Sequence, residues 1–421
     1  MSTDPNLFRA PKGTRDILPP ESWLWDSIAR LGMDAFARAG YAPVETPAFE
    51  HTEVFERGVG ETSEVVNKQM YTFTDLGDRS LTLRPEGTAP VVRAVLEHNL
   101  DRGPLPIKLA YVGPMFRQER PQKGRYRQFS QLGIEAIGSD QPFVDAEVIE
   151  VGKRFLANAG VESTLLLNSI GHVDPSCRGN YLDTLRKWLE AHAGELGEED
   201  RTRSQSNPLR TFDSKNKQTQ AAMKDAPLIT DHLCDACRTH FDVVRETLDG
   251  LGVAYTLEPR LVRGLDYYTR TAFEYVAGDL GAQNAVGGGG RYDGLSESLG
   301  GPPLPGIGFA LGLDRIILAR SDDATPVVGP VRVYAVALGE EAQKEALKLV
   351  TRLRAAGVGA DLDLAGRGMK GQMKDADRSG ARWALILGAE ELASGTATLK
   401  DLASGEQRSI PIDSIEEGVR S

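Results

Sequence analysis

Cysteine and histidine are scarce: three Cys and six His in 421 residues. So few thiols cannot frame a chain of this length with disulfides, and they point to a reducing compartment. No run of eighteen apolar residues occurs, so no membrane span is expected. The opening stretch MSTDPNLFRAPKG lacks an apolar signal core, so a cytoplasmic protein is expected. Basic residues are in the minority, 49 Lys plus Arg against 60 Asp plus Glu, a net of −11. That excludes nucleic-acid binding through bulk charge but leaves room for a local basic patch. Several catalytic signatures are missing: G-x-x-x-x-G-K-[ST], H-E-x-x-H and G-x-S-x-G. GVGETS at Gly58 holds two of three fingerprint glycines without the context that follows them. Phosphate, if handled at all, must be handled by arginine.

Cys234, Cys237 and His240 form a C-x-x-C-x-x-H run, which would share one face of a helix. A zinc site wants four ligands and no second pair is visible. The run is therefore read as buried thiols in a helical segment, and no metal ligand is assigned.

A 40% hydrophobic and 26% charged composition is that of a globular chain, and its length suggests two or three domains. Pro20–Gly40 reads as a helix, with Leu24, Ile28, Leu31 and Ala35 at helical spacing. YAPVETPAFE is a short strand broken by Pro43 and Pro47. SLTLRPEGT reads as a strand that ends at an N-cap, Thr88, opening the helix APVVRAVLEHN. From about Asp174 to Gly252 charged helical runs suggest an inserted helical subdomain. Strand character returns in AYTLEPRLVRGLDYYTRTAFEYV, and GIGFALGLDRIILAR runs from strand to helix across Gly312. After a break at SDDATPVVGP, alternating strands and helices mark a small α/β domain. No internal repeat is found.

One loop stands against the acidic whole. FRQERPQKGRYRQF, from Phe116 to Phe129, carries Arg117, Arg120, Lys123, Arg125 and Arg127 against Glu119, a balance of 5 − 1 = +4. It joins two expected strands, Lys108–Arg117 and Tyr126–Ile137, in an antiparallel hairpin. Alternation puts Arg127, Phe129, Gln131, Gly133 and Glu135 on one face, joined by Tyr111, Gly113, Met115 and Arg117. That face reads as the floor of a site for a small polar ligand with a cationic or N–H group. The opposite face, with Leu132, Ile134 and Ala136, is apolar and must pack.

These residues carry a resemblance. FRQERPQKGRYRQF resembles motif 2 of the class II aminoacyl-tRNA synthetases, and GIGFALGLDRI resembles motif 3. LVRGLDYYTRTAFEY, GGGGRYDGL, KGTRDILPPE and TLRPEGTAPVVRA are similar to stretches of the histidyl-tRNA synthetases, and the likeness covers nearly the whole chain. Motif 1, the dimer-forming element, would lie around FARAGYAPVETPAFE, with Pro47 as its proline. The resemblance implies an α+β fold: a catalytic domain over residues 1–325, including the 174–252 insertion, and an anticodon-binding domain over 329–421. It implies a homodimer that joins ATP to L-histidine and charges tRNA(His), with Mg2+ arriving with ATP. Arg117 and Arg263 would be catalytic, at the α-phosphate. Glu119, Arg125, Tyr126 and Arg315 would contact ATP. Glu86, Gly87 and Thr88 would take the α-amino group, and Gln131, Glu135, Tyr267 and Tyr268 the imidazole. Arg120 and Lys123 would be free for the acceptor end. Lys370, Lys374 and Arg378, at i, i+4, i+8, would form a basic stripe for the tRNA, unless they are a solvated helix face. Arg263 and Tyr268 differ in strand parity, so a turn at Gly264 is needed to bring both to one site.

Two positions depart from the family pattern. Ser130 stands where His is frequent, and Asp314 where Glu precedes the motif 3 arginine. A non-catalytic relative, the regulatory subunit of ATP phosphoribosyltransferase, shares the fold but usually loses these motifs and the last domain. RGLDYYTR and the complete α/β tail favour the synthetase.

Overall fold

Alternating strands of the first unit build an eight-stranded sheet. Its members in chain order are β1 (Ala42–Pro43), β2 (Ile107–Phe116), β3 (Gln128–Ile137), β4 (Thr164–Ser169), β5 (Thr256–Leu257), β6 (Thr269–Val276), β7 (Ala285–Arg291) and β8 (Gly306–Gly312). Their order across the sheet is β1-β2-β3-β8-β7-β6-β4-β5. The six inner strands are antiparallel to their neighbours, and the two short edge strands are parallel to theirs. The computed structural model describes residues 8–60, 63, 65–122, 124–278, 284–321 and 331–419. The chain divides into two compact units, residues 1–17 with 25–325 and residues 18–24 with 326–421; the break at SDDATPVVGP lies largely outside the described residues.

The hairpin β2–β3 pairs Tyr111 with Gly133 and Gly113 with Gln131, in the expected register. On the apolar face of β3, Leu132, Ile134 and Ala136 are at 0% exposure. Each large aliphatic side chain so buried contributes about 1.5–3 kcal/mol. Helix Glu21–Arg38 covers part of that face, and Gly32 is where it comes closest. A Cβ there would lie 2.5 Å from Leu132. Phe36 of the same helix packs edge-on against Phe155 and Phe309.

The other face also has its bulk accounted for. The room left by Gly133 is filled by the Tyr111 ring, 2.3 Å from where a Cβ would stand, and that left by Gly113 by the Arg84 guanidinium. The floor is therefore tiled by side chains from neighbouring elements rather than open at its glycines. Thr88 is the first residue of helix Thr88–Glu97, and Gly87 is its N-cap. The helix end is satisfied instead by Glu86, whose carboxylate accepts from the Thr88 and Ala89 amides at 2.7 and 2.9 Å. This frees the Thr88 hydroxyl for the site.

The insertion is helical, from Asn180–Ala191 to Asp235–Gly250. The second unit has a five-stranded sheet in which Val333–Ala337, Ala360–Leu362 and Trp383–Leu387 are parallel. The hairpin Thr396–Asp401 with Gln407–Pro411 extends it and is absent from the sequence reading: TATLK alternates, but its partner strand QRSIP does not. Helix Glu340–Ala355 buries Ala342, Ala346, Leu349, Val350 and Leu353 against this sheet, a spacing of three and four residues.

An ion pair is sealed inside the first unit. Arg291 and Asp145 are both 0% exposed and 2.7 Å apart. Asp145 also accepts from Thr271 and pairs with His240, at 2.6 and 2.8 Å. Removing one member strands the other, at a cost of about 3–5 kcal/mol. Arg291→Met should thus lower the urea-unfolding stability of the first unit steeply, whereas Arg186→Met, on an exposed pair, should change it by less than about 1 kcal/mol. Equal shifts in the two variants would contradict a structural role for the buried pair.

Candidate active site

The expected site residues come largely to one cavity. Glu86, Thr88, Arg117, Glu119, Arg125, Tyr126, Gln131, Arg263, Tyr267, Tyr268 and Arg315 all line it. Arg263 and Tyr268 meet there because the chain between Gly264 and Tyr267 bends and turns before β6 begins at Thr269. Gly87 and Glu135 are not on its surface. A Cβ at Gly87 would lie 2.5 Å from the Tyr111 ring, so glycine is needed for that ring to pass. Arg120 is exposed on the β2–β3 loop, and Lys123 lies outside the described residues. Lys370, Lys374 and Arg378 are exposed on helix Met369–Arg378 of the second unit, where Gln372 and Ala376 face inward. Arg378 is 3.5 Å from Asp375.

One end of the cavity is cationic and held stiffly. Arg117 donates through Nε to the Pro85 carbonyl at 2.8 Å and stands over the Phe129 ring. Glu119 lies between two guanidiniums, 3.1 Å from Arg125 and 3.7 Å from Arg117. Arg315 donates to the Ala285 carbonyl. Burial and the nearby Arg125 charge both push its pKa below the usual value, so this end favours an incoming anion. Arg263 is paired with Glu274, and its buried Nε has no hydrogen-bond partner among the described residues. Glycine at 288 admits it: a Cβ there would lie 3.0 Å from the Arg263 guanidinium.

The other end is acidic. The Tyr267 hydroxyl donates toward Glu86 at 3.5 Å, and the Tyr267 and Tyr268 rings are 4.7 Å apart. Gln131 Oε1 is buried without a donor among the described residues. Glu135 was expected as a direct contact but lies beneath the surface at 0% exposure. Its Oε1 accepts from Thr88 at 2.7 Å and from Tyr111 at 3.4 Å, and its Oε2 from Tyr292 at 2.6 Å. Burial pushes its carboxyl up to about 8, against these hydroxyl donors. Burial also raises Glu86.

Three contributors escaped the sequence reading. Glu274 and Tyr292 sit on or beside strands whose partners cannot be read locally. Arg15, in KGTRDILPPE, reaches Asp314 at 2.7 Å and stands over the Tyr126 ring. A lone carboxylate in the buried strand TRTAFEYV was the one available signal for Glu274. The shortened acid at 314 keeps a partner of its own, and Ser130 is buried at 9%.

The family model described as Histidyl-tRNA synthetase matches residues 13–316. The chain belongs to the histidyl-tRNA synthetase family. A second model, described as Anticodon binding domain, matches 332–421. Among curated histidyl-tRNA synthetase relatives, the Histidine--tRNA ligase of Corynebacterium kroppenstedtii is 50% identical over 422 residues, covering 100% of this chain and 98% of that protein. The Rhodococcus erythropolis protein of the same name is 51% identical over 97% of each chain. The crystal structure of apo S. aureus histidyl-tRNA synthetase superposes with a TM-score of 0.79 at 38% identity, covering 99% of this chain and 100% of that one. The α+β fold is thus that of the class II histidyl-tRNA synthetases. No described helix is long and apolar enough to cross a membrane.

The buried Glu135 makes the free protein pH-sensitive. Its folded pKa lies above the ordinary carboxyl value near 4.5, so the folded state binds the extra proton between the two. The stability it contributes is complete below about 4.5 and is lost as pH rises toward 8. Over that window stability should fall by up to about 1.4 kcal/mol per pH unit from this group. Glu135→Gln should flatten the slope by that amount in urea titrations at successive pH values; an unaltered slope would place the proton elsewhere.

Proposed function

We propose that this chain activates L-histidine with ATP to histidyl-adenylate and transfers the histidyl group to the 3′ end of tRNA(His). The observation that carries this reading is the two-ended cavity itself, with Arg117, Arg125, Arg263 and Arg315 at one end and Glu86, Gln131, Tyr267 and Tyr268 at the other. A ligand with an anion at one end and N–H groups at the other answers both ends. Full-length likeness to histidine–tRNA ligases favours this reading over the regulatory subunit. Exchange of ATP with pyrophosphate, assayed with each of the twenty amino acids, tests it: histidine alone should support exchange, and exchange with none would favour the regulator.

In this reading a histidine carboxylate oxygen attacks the α-phosphorus and the bond to pyrophosphate breaks. A carboxylate needs no general base at neutral pH, so the residues act by placement and charge neutralisation. Arg117 spans carboxylate and α-phosphate, and Arg263 holds the α-phosphate from the other side. Their forked donors suit both oxyanions. Arg125 and Arg315 receive the outer phosphates, and Glu119 and Tyr126 frame the adenine end. Glu119 and Glu274 offer the oxygen donors that a hard divalent ion prefers, and they would hold Mg2+ carried in with ATP. Such an ion offsets phosphate charge.

Glu86 takes the ammonium, helped by Thr88. Gln131, Tyr267 and Tyr268 face the imidazole. Glu135 acts from beneath: it holds the Thr88 and Tyr292 hydroxyls in place under the cavity floor. A site built to hydrogen-bond a ligand N–H rejects analogues lacking it by about 10⁴-fold or more.

Residues 1–325 would be the catalytic domain and 329–421 the anticodon-binding domain. The cavity is continuous, through Arg125 and Arg315, with a polar groove that Lys68, Arg203, Arg210 and Lys215 line. This groove, with Arg120 and Lys123, suits the acceptor end. The exposed Phe49 and Phe73, paired edge-on at 6.3 Å near the motif 1 stretch, support a homodimer. The cytoplasm is the compartment this activity needs.

Arg263→Ala should lower exchange turnover by on the order of 10²-fold or more, the scale of a lost transition-state donor, with little change in histidine KM. A raised KM at full turnover would contradict the assignment. Changing Lys370, Lys374 and Arg378 together to Ala should weaken tRNA binding and cut the slope of log affinity against log salt by about 0.7–0.9 per cation. Exchange should persist. An unchanged salt slope would reduce the stripe to a solvated helix face.

A further inference from the structure

All three cysteines of the chain meet at one point, together with a histidine. His172 and Cys177 lie in the stretch that follows β4 and opens the insertion. Cys234 is the N-cap of helix Asp235–Gly250, and Cys237 is in its first turn. Their ligand atoms all lie within 4.8 Å of one another. His172 Nδ1 is 3.0 Å from Cys237 Sγ and 3.8 Å from Cys234 Sγ. Tetrahedral zinc, with Zn–S near 2.3 Å and Zn–N near 2.05 Å, asks for ligand separations of about 3.5–3.8 Å.

We propose that His172, Cys177, Cys234 and Cys237 form a structural Zn2+ site. The spacings, H-x₄-C and C-x₂-C, are those of closed zinc sites. Three thiolates and an imidazole select zinc over a hard ion such as Mg2+, and four protein ligands leave no open position for catalysis. This corrects the sequence reading, which grouped His240 with the C-x-x-C pair and saw no further ligands. His240 turns instead to Asp145. The missing pair comes from the other end of the insertion.

The surroundings are built to hold the four. Gly171 has φ +64°, and a Cβ there would lie 3.0 Å from Cys177 Sγ. The buried Arg178 guanidinium donates to the carbonyls of Ile170, Gly171 and Tyr268 at 2.7–2.9 Å. It therefore ties the ligand loop to a residue of the cavity wall. Cys177, Cys237, Leu233 and Tyr268 belong to one apolar cluster. The metal would staple the two ends of the insertion together and steady Tyr268 from behind.

The test begins with the full-length protein, purified without chelator. Elemental analysis should find about one zinc per chain, and Co2+ exchanged into the site should show the thiolate charge-transfer band and strong visible bands of a tetrahedral centre. Cys234→Ser with Cys237→Ser should abolish both. Because that variant could fail to fold, the wild-type chain is also stripped with a strong chelator. Stripping should lower the melting temperature, expose three thiols to a disulfide reagent and raise the histidine KM several-fold, and Zn2+ but not Mg2+ should reverse all three. The KM arm rests on the proposed function; the metal content, thiol and melting arms do not, so they distinguish failure of the site from failure of that reading. Absence of stoichiometric zinc together with a featureless Co2+ spectrum would overturn the site, as would a Cys–Cys disulfide in the native protein.

Discussion

A carboxylate sealed under the cavity floor sets the terms for the rest of the site. Glu135 is fully buried without a cationic partner among the described residues, and hydroxyls from three elements satisfy it. An uncompensated charge there would be costly, so the protein holds its carboxyl near 8 and surrounds it with donors. Thr88 comes from the helix that Glu86 caps, Tyr111 from β2 and Tyr292 from the turn after β7. Placing these three hydroxyls fixes how the helix end, the hairpin and the glycine-rich strand meet. The glycines follow from the same constraint. Gly87 and Gly133 clear the path of the Tyr111 ring, and a Cβ at Gly308 would stand 1.9 Å from the Glu135 carboxylate.

Opposite that acidic pole, the four cavity arginines are each held by a carbonyl or a carboxylate before any ligand arrives. This prepayment matters because a guanidinium already in place needs little reorganisation as charge develops. It also explains how a chain of net −11 can attract polyanions. The positive charge is concentrated where low dielectric walls focus it, and the acidic surplus lies elsewhere on the surface. The pairing of Glu119 with two arginines and of Glu274 with a third keeps the cluster from repelling itself.

The insertion enters and leaves the first unit at the same place. His172 and Cys177 on one side and Cys234 and Cys237 on the other bring its two ends within reach of a single ion. Closing a segment of this length at its base removes loop-closure freedom that its many short helices could not remove alone. Through Arg178 the base is tied to the backbone of Tyr268, so the helical subdomain and the cavity wall share one support.

Much of this was legible from local pattern. Alternation along Lys108–Arg117 and Tyr126–Ile137 is enough to pair the hairpin and choose its faces, because a period of two leaves one register that buries Leu132, Ile134 and Ala136. The Arg-rich loop, the strand-to-helix turn at Gly312 and the C-terminal α/β pattern are likewise carried by contiguous residues. What the tertiary structure alone decided are meetings between distant segments. Glu135 faces inward by alternation, yet only Thr88, Tyr111 and Tyr292 arriving together make it a buried support rather than a surface contact. His240 has the spacing of a ligand, yet it turns to Asp145. Cys177 and His172 look unremarkable until the insertion folds back on itself. Local sequence specifies direction and period, whereas a site made by desolvation exists only once the chain has closed around it.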